Sequence, residues 1–395
     1  MSHEELVKKN LLVISHDYQS FTKDQIAELS FSFSNVFSLV RHNSFAEISN
    51  YINIPSINRY SKNNLIDLHD KPNNVHVIPT SLFYLPFNWT YKRIGSAHYD
   101  TVYKTIKGHD IHFNLVHSYF IWSSGYVGVR LKEQFNVPLV ITGHGYDVYI
   151  LPFIDESWKN LITTTINNAD HIITVSNKNK EILKSLKTKT PITVIPNGYK
   201  KDLFYPMNKN MCRTQLGIPL NKKILLTVGN LVEIKGHKYL IDALKLLKKR
   251  RNDFICYIIG EGILKFALQK QIQHNELNEN IKLIGWVSHE EIPVWMNAAD
   301  LFILPSLNEG NPTVMFECLG CGRPFIGTCV GGVPEIITSE NYGLLCEPAN
   351  QKDLADKILI ALEKDWDKEK ILEYAKQFMW KNIAKKIMGI YKLLV

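Results

Sequence analysis

Short apolar runs of β character alternate with helical patterns along the whole chain, and that rhythm leaves few folds open. In the first half the runs are LLVIS from Leu11, VHVIP from Val75, PLVIT from Pro138, HIITV from His171 and PITVI from Pro191. The second half repeats the rhythm with KILLTVG from Lys223, FICYIIG from Phe254, IKLIG from Ile281, LFILP from Leu301 and PFIGT from Pro324. Strands buried on both faces read as continuous apolar runs, and helices between them imply parallel βαβ units. A chain of 395 residues is long enough for two cores of ordinary size. The predicted class is therefore α/β, with two Rossmann-like doubly wound parallel-sheet domains facing a cleft.

The stretch IPNGYKKDLFYPMNKN, Ile195 to Asn210, is polar, holds two prolines and shows no period, so it reads as a linker. The boundaries predicted from it are 1–204 for the first domain and 205–380 for the second. A last helical stretch, 381–395, would cross back to the first domain. In open parallel sheets, ligands bind beyond the carboxyl ends of the strands, and every candidate motif falls at such an end.

One segment carries more chemistry than packing requires: NEGNPTVMFECLGCGRPFIGTCVGGVPEII, Asn308 to Ile337. Glu309 follows the LFILPS strand pattern, and Glu317 falls inside the helical period of Val314, Met315, Cys318 and Leu319. Two turns of helix would separate the carboxylates by about 11 to 12 Å. That is too far to share one atom, but it suits an extended ligand held at two places. Gly310 and the backbone N–H groups that follow it lie where a helix start favours phosphate or hydroxyl ligands. The outline fits a sugar nucleotide; solvated glutamates on an ordinary amphipathic helix are the plainer alternative.

Upstream, TVGNLVEIKGHKYLIDALKLL runs strand, glycine turn, loop and helix, with Leu240, Leu244 and Leu247 on one face. Lys235 is held just before Gly236, where a cation and a helix start could both face a diphosphate. The run IIGEGILKF again ends a strand in glycines, Gly260 and Gly262, that let backbone approach a ligand. In the first half, NLVHSYFIWSSG and VITGHGYDVY each place a histidine, His117 and His144, just after a strand. A neutral imidazole there could donate to a sugar hydroxyl, and a structural role is the alternative for both. The segment SLFYLPFNWTYKRIG sets aromatic residues before Lys92 and Arg93, a combination suited to a membrane interface and a lipid-linked acceptor. Packing within the first domain accounts for it too.

Composition removes several classes. No apolar run reaches the roughly 18 to 20 residues needed to cross a bilayer. The opening MSHEELVKKN has no secretory apolar core, so a cytoplasmic address is expected, with the inner face of the membrane left open. Six scattered cysteines suit a reducing compartment, and the Cys318/Cys321 pair has no second pair or histidine at zinc-ligand spacing. Those two read as small buried residues. A net charge of +8 favours anionic partners, yet no nucleic-acid motif accompanies it.

Taken together, the motifs resemble the family 4 (group 1) retaining glycosyltransferases of the GT-B fold. The features that carry the resemblance are PNG at Pro196 to Gly198, VGNLVEIKG, GEG, the Glu309 and Glu317 pair, GRP at Gly322 to Pro324, GGVPE at Gly331 to Glu335 and the closing MWKNIAKKIMGIYKLL. The resemblance implies a nucleotide-diphosphate sugar as donor and a glycan or lipid-linked acceptor in cell-surface polysaccharide or glycoconjugate synthesis. It implies no metal and no cofactor. On it, Lys235, Glu309 and His144 take the catalytic roles, with Glu309 on the donor-sugar hydroxyls, Lys235 on the diphosphate and His144 near the transferred sugar. Glu317 would bind the ribose, and Trp286 and Val287 would border the base. Gly229, Asn230, Gly260, Glu261 and Gly262 would line the donor site, with Gly310, Asn311, Pro312, Thr313 and Val314 holding sugar and phosphate by backbone; His117 completes the set.

Three positions depart from the family. Asn230 stands where an arginine is common, Lys200 stands where an aspartate is usual after PNG, and SHDYQSFTKDQ, Ser15 to Gln25, lacks the glycine-rich loop expected after the first strand. A sugar-nucleotide epimerase and a non-catalytic sugar-nucleotide-binding subunit are the rival readings.

Overall fold

The structure is a computed structural model that describes residues 7–50, 60–85 and 87–395. The opening MSHEEL and Pro86 of the aromatic segment lie outside the described residues. The chain divides into two compact units, Met1–Pro196 with Trp380–Val395, and Asn197–Met379.

The first unit is built on seven strands: β1 (Asn10–Ser15), β2 (Asn35–Asn43), β3 (Val75–Leu82), β4 (Leu115–Tyr119), β5 (Leu139–Gly143), β6 (His171–Thr174) and β7 (Ile192–Val194). Their order across the sheet is β3-β2-β1-β4-β5-β6-β7, and every neighbouring pair is parallel. The second unit has six: β8 (Lys223–Val228), β9 (Phe254–Ile259), β10 (Ile281–Gly285), β11 (Leu301–Leu304), β12 (Phe325–Thr328) and β13 (Gly343–Cys346). They lie in the order β10-β9-β8-β11-β12-β13, again all parallel. In each sheet the chain reverses its direction of winding beside the first strand, between β1 and β4 and between β8 and β11. Helices cannot cover the strand ends at such a switch point, so a crevice opens there.

The sequence explains the layers. β8, β9 and β11 are buried along nearly their whole length because helices cover both faces. One face of the second sheet packs Leu240, Leu244 and Leu247 of the helix His237–Lys248, the other Met315, Phe316 and Leu319. In the first unit the helix Trp380–Leu394 buries Trp380, Ile383, Ala384, Ile387, Met388 and Tyr391 in one core with Leu11, Val13 and Val36. That spacing is the stripe of an amphipathic helix, and Lys381, Lys385 and Lys386 fall on its exposed side.

Three strands had no counterpart in the apolar runs, and one of them, β4, falls instead in the NLVHSYFIWSSG motif. β2, NVFSLVRHN, carries Ser38, Arg41 and His42 among its apolar residues, and β13 is only four residues long. The stretch read as a linker is folded against the second unit from Asn197 onward. Tyr199 pairs with Met379, and Tyr199 and Phe204 are buried in the second core. These aromatic anchors put the break at Pro196, ahead of the boundary at 204 read from composition.

Candidate functional site

Lys235 closes a short 3-10 turn, Glu233–Lys235, between β8 and the helix His237–Lys248. Gly236 has φ +66°, and a Cβ there would stand 2.0 Å from the Pro305 carbonyl oxygen. Only glycine allows that approach. The Leu307 N–H donates to the Ile234 carbonyl at 2.7 Å, so the turn is fastened to the loop after β11. The result is direct: Lys235 Nζ lies 2.6 Å from Glu309 Oε1, which also accepts from Ser306 Oγ at 2.7 Å. Gly331, φ +52°, presses from the other side, where a Cβ would meet the Glu309 carbonyl oxygen at 1.6 Å. The next N–H, of Gly332, donates to the Gly310 carbonyl at 3.0 Å. Glu309 is thereby held buried while remaining beside a cation.

Pro312 precedes the helix Thr313–Gly320, which has no side-chain cap. Helix geometry leaves the Thr313 and Val314 N–H groups without intrahelical acceptors. Asn311 fixes the approach to the helix, since its Oδ1 accepts from the Asn197 N–H at 2.8 Å and its carbonyl from Asn197 Nδ2 at 2.7 Å. The Asn311 amide nitrogen is buried and has no partner. Glu317 follows one turn into the helix, buried, with His289 Nε2 at 2.9 Å from Oε1. Helix covers only the second half of the stretch from Glu309 to Glu317, so the two-turn separation of 11 to 12 Å does not apply.

The loops after β8, β9 and β10 are laced together. Gly229 N–H donates to the Ile259 carbonyl at 2.9 Å, Leu231 N–H to the Glu261 carbonyl at 2.9 Å, and Gly260 N–H to the Gly285 carbonyl at 2.8 Å. Gly262 lies against the Leu231 backbone. Asn230 is exposed, and its carbonyl accepts from His237 Nε2 at 3.3 Å. Burial pulls His237 down to about 4, so this ring is neutral. The Glu261 carboxylate pairs with Lys265 at 2.8 Å on the surface. Trp286 is 75% exposed directly after β10, and Val287 packs on the second core. Lys235, Glu309, Glu317 and the glycine loops thus all stand at the carboxyl ends of second-sheet strands.

The two histidines of the first unit part company. His144 does follow β5, buried, with Nε2 lacking a partner and the ring against Phe120 at 4.8 Å and Phe21 at 5.1 Å. The Asp147 carboxylate accepts from the N–H groups of His144, Gly145 and Ile121, which shapes the turn that presents the ring. Burial lowers His144 to about 3, leaving it a neutral donor or acceptor. His117, by contrast, lies inside β4 rather than after it. It is fully buried, with Nδ1 2.5 Å from the Tyr391 hydroxyl and Nε2 2.7 Å from the Thr142 hydroxyl. Both nitrogens are engaged within the core, so the substrate role expected for His117 is replaced by a structural one.

Cys318 and Cys321 are buried, and the Cys318 thiol faces the Arg323 carbonyl at 3.2 Å. Among the described residues, no three histidine, cysteine or acidic side chains gather as metal ligands. Sequence reading missed His289, Ser306 and Asn197 as partners of the acidic pair and of Asn311. His289 had a signal, since it follows a strand end three residues after Trp286.

Residues 208–378 match the family described as glycosyl transferases group 1, and residues 67–203 match glycosyltransferase family 4. An uncharacterized glycosyltransferase of Methanocaldococcus jannaschii is 32% identical over 287 residues, covering 71% of this chain and 76% of that one. The putative teichuronic acid biosynthesis glycosyltransferase TuaC of Bacillus subtilis is 31% identical over 270 residues, 68% of this chain and 65% of that one. Among solved structures, HepE of Anabaena in complex with UDP superposes with a TM-score of 0.74 at 18% identity, covering 98% of this chain and 100% of that one.

Proposed function

Because this chain belongs to the group 1 glycosyl transferases of family 4, an enzyme family of GT-B fold, we propose that it transfers a sugar from a nucleotide-diphosphate donor with retention of anomeric configuration. The observation that carries the reading is the Lys235 and Glu309 pair beside the uncapped start of Thr313–Gly320. A donor diphosphate would take the ammonium and the free N–H groups, and the sugar hydroxyls would take the carboxylate released from the lysine. Glu317, with His289 behind it, is suited to the ribose hydroxyls.

Cleavage of the sugar to phosphate bond gives an oxocarbenium-like transition state. Negative charge grows on the leaving phosphate, and Lys235 with the helix-start amides stabilises it where it appears. The leaving phosphate oxygen takes the acceptor proton as the acceptor hydroxyl attacks from the same face, so no separate base is required. Lys235 supplies charge that a metal would otherwise supply, and the transfer is proposed to proceed without one. His144, neutral, would donate a hydrogen bond to the transferred sugar.

The acceptor is proposed to be a glycan or lipid-linked glycan of cell-surface polysaccharide synthesis, a reading supported by the relative named for teichuronic acid biosynthesis. Exposed Phe83, Phe87 and Trp89, with the Arg93 guanidinium 5.8 Å from the Trp89 ring centroid, would rest the first unit on a lipid surface at the cytoplasmic face. A thermal-shift screen of nucleotide sugars, beginning with UDP-sugars because HepE binds UDP, identifies the donor. NMR of the product then tests the stereochemistry. Inverted configuration would reject the scheme, and turnover of donor to an isomeric nucleotide sugar without acceptor would make the protein an epimerase.

A further inference from the structure

The first unit holds a cluster of cationic and imidazole groups that the transfer scheme leaves unused. It begins in the glycine-free segment after β1. The β1–β2 register sets Ser15 beside Val40, so His16 and Arg41 follow side by side at the carboxyl end of the sheet. Arg41 is 7% exposed. Its Nη1 donates to Ser123 Oγ at 3.0 Å, and the rings of Tyr84 and Tyr91 each stand 5.5 Å from its guanidinium. Ser123 Oγ also meets Nδ1 of fully buried His98 at 2.8 Å. Phe120 stacks on His16 at 4.5 Å and touches His144 at 4.8 Å, which joins the third imidazole to the group.

Two facts point to a site suited to an anion. Among the described residues, Arg41 has no carboxylate within ion-pair distance, whereas buried Arg213 of the second unit has Asp300 at 2.7 Å. The Nε2 atoms of His16, His98 and His144 are all buried and without a partner. A guanidinium keeps its charge in any surroundings, and burying it without a counter-charge is unfavourable. Buried polar atoms left unmatched in this way are seldom accidental. The nearby carboxyls are otherwise disposed. Asp147 is occupied by three backbone N–H groups, Glu47 faces His42 at 3.2 Å, and burial pushes Asp17 up to about 6. Burial, and then Arg41, hold His16 and His98 well below their usual range, a state that an arriving anion would reverse.

We propose that Arg41, with His16 and His98, forms an anion subsite for a phosphate group carried by the acceptor. The proposal rests on the reading of the first unit as the acceptor-binding part of a glycosyltransferase. Arg41 would face the phosphate oxygens as a fixed charge, and the imidazoles would donate once protonated. The phosphate has two possible sources, the head group of a polyprenyl-phosphate-linked glycan or a soluble sugar phosphate.

The test uses the full-length protein saturated with UDP, so that the diphosphate site of the second unit is filled. Inorganic phosphate is titrated while the histidine ring resonances are followed by NMR. The His16 and His98 signals should move saturably, and their titration should shift to higher pH. Arg41→Gln should weaken phosphate binding at least tenfold while UDP affinity and acceptor-free hydrolysis of the donor stay unchanged; Arg41→Lys should recover part of the loss. Unmoved ring signals in the wild-type protein, or equal phosphate affinity in Arg41→Gln, would overturn the proposal. Should Arg41→Gln fail to fold, the wild-type titration decides. Competition by glucose 6-phosphate or by vesicles bearing polyprenyl phosphate then identifies the source. Failure to bind UDP would instead count against the glycosyltransferase reading and leaves the phosphate titration to be read by itself.

Discussion

Lys235 and Glu309, 74 residues apart in the chain, meet at 2.6 Å through an ion pair whose side chains are 24% and 10% exposed. Each neutralises the other, so a donor would bind by parting them: phosphate to the ammonium, hydroxyls to the carboxylate. The free pair also keeps an otherwise unpaired carboxylate from being buried alone.

Lys235→Ala should therefore lower turnover at saturating donor by about 30- to 1,000-fold, equivalent to ~2 to 4 kcal/mol of transition-state stabilisation. Steady-state kinetics with the donor found by screening checks this. Unchanged turnover would remove Lys235 from the site.

Glu317→Ala should act on binding rather than chemistry. Losing one charge-assisted hydrogen bond costs ~1.5 to 3 kcal/mol, or about 10- to 100-fold in the dissociation constant of a nucleoside diphosphate. Calorimetry with UDP measures it, and His289→Ala should shift the constant in the same direction by less.

Gly236→Ala should damage both fold and activity. The αL conformation and the Pro305 carbonyl at 2.0 Å leave no room for a methyl group, a cost on the order of 3 kcal/mol. For a unit of this size that lowers Tm by roughly 10 °C, visible by calorimetry as a shift of one transition.

Mild acid should destabilise the first unit. His117 and His144 are both pulled down to about 3 by burial, so their neutral forms favour the folded state and that contribution is lost as pH falls below the unfolded value near 6.5. Between pH 7 and 5 the loss is about 2 kcal/mol for each histidine. Asp17, raised to about 6, works in the opposite sense and returns about 1 kcal/mol over the same interval. Urea midpoints followed by the fluorescence of buried Trp122 and Trp158 should fall across that window, and a flat profile would contradict the assignment.

Replacing Phe87 and Trp89 together with serine should lower binding to anionic vesicles by about 100-fold, since each exposed ring contributes on the order of 1.5 kcal/mol on burial. Co-sedimentation reads it. Equal binding by the variant would remove these side chains from any lipid contact.

The sheets were legible because buried parallel strands spell themselves as apolar runs, and the second unit was clearest since its glycine turns sit where backbone must approach backbone. The Lys235 and Glu309 contact was not legible. Nothing local links the two positions, and the link runs through the Gly236 to Pro305 approach, a long-range steric fact. β2 escaped for a related reason. Its Arg41, His42 and Asn43 interrupt the apolar run although all three are buried, because each has polar or aromatic partners at the carboxyl end of the strand: Ser123, Glu47 and the Tyr84 carbonyl. His117 misled because a histidine near a strand end looks functional until its partners are known; one of them, Tyr391, lies 274 residues away.

The second unit leaves the first at Asn197 and returns at Met379, and the Tyr199 to Met379 bridge closes that excursion. The helix Trp380–Leu394 supplies core side chains to a sheet that the ribosome finished making long before. Translation order thus sets a sequence of events: the intervening unit can fold as a closed loop on the nascent chain, while the amino-terminal sheet waits with that apolar face covered only in part, by Ile26 and Leu29 of the helix Ser20–Ser30, until residues 380–394 emerge. Deleting the helix Trp380–Leu394 would strand the early-made half without the larger part of its cover, however sound every other part of the polypeptide.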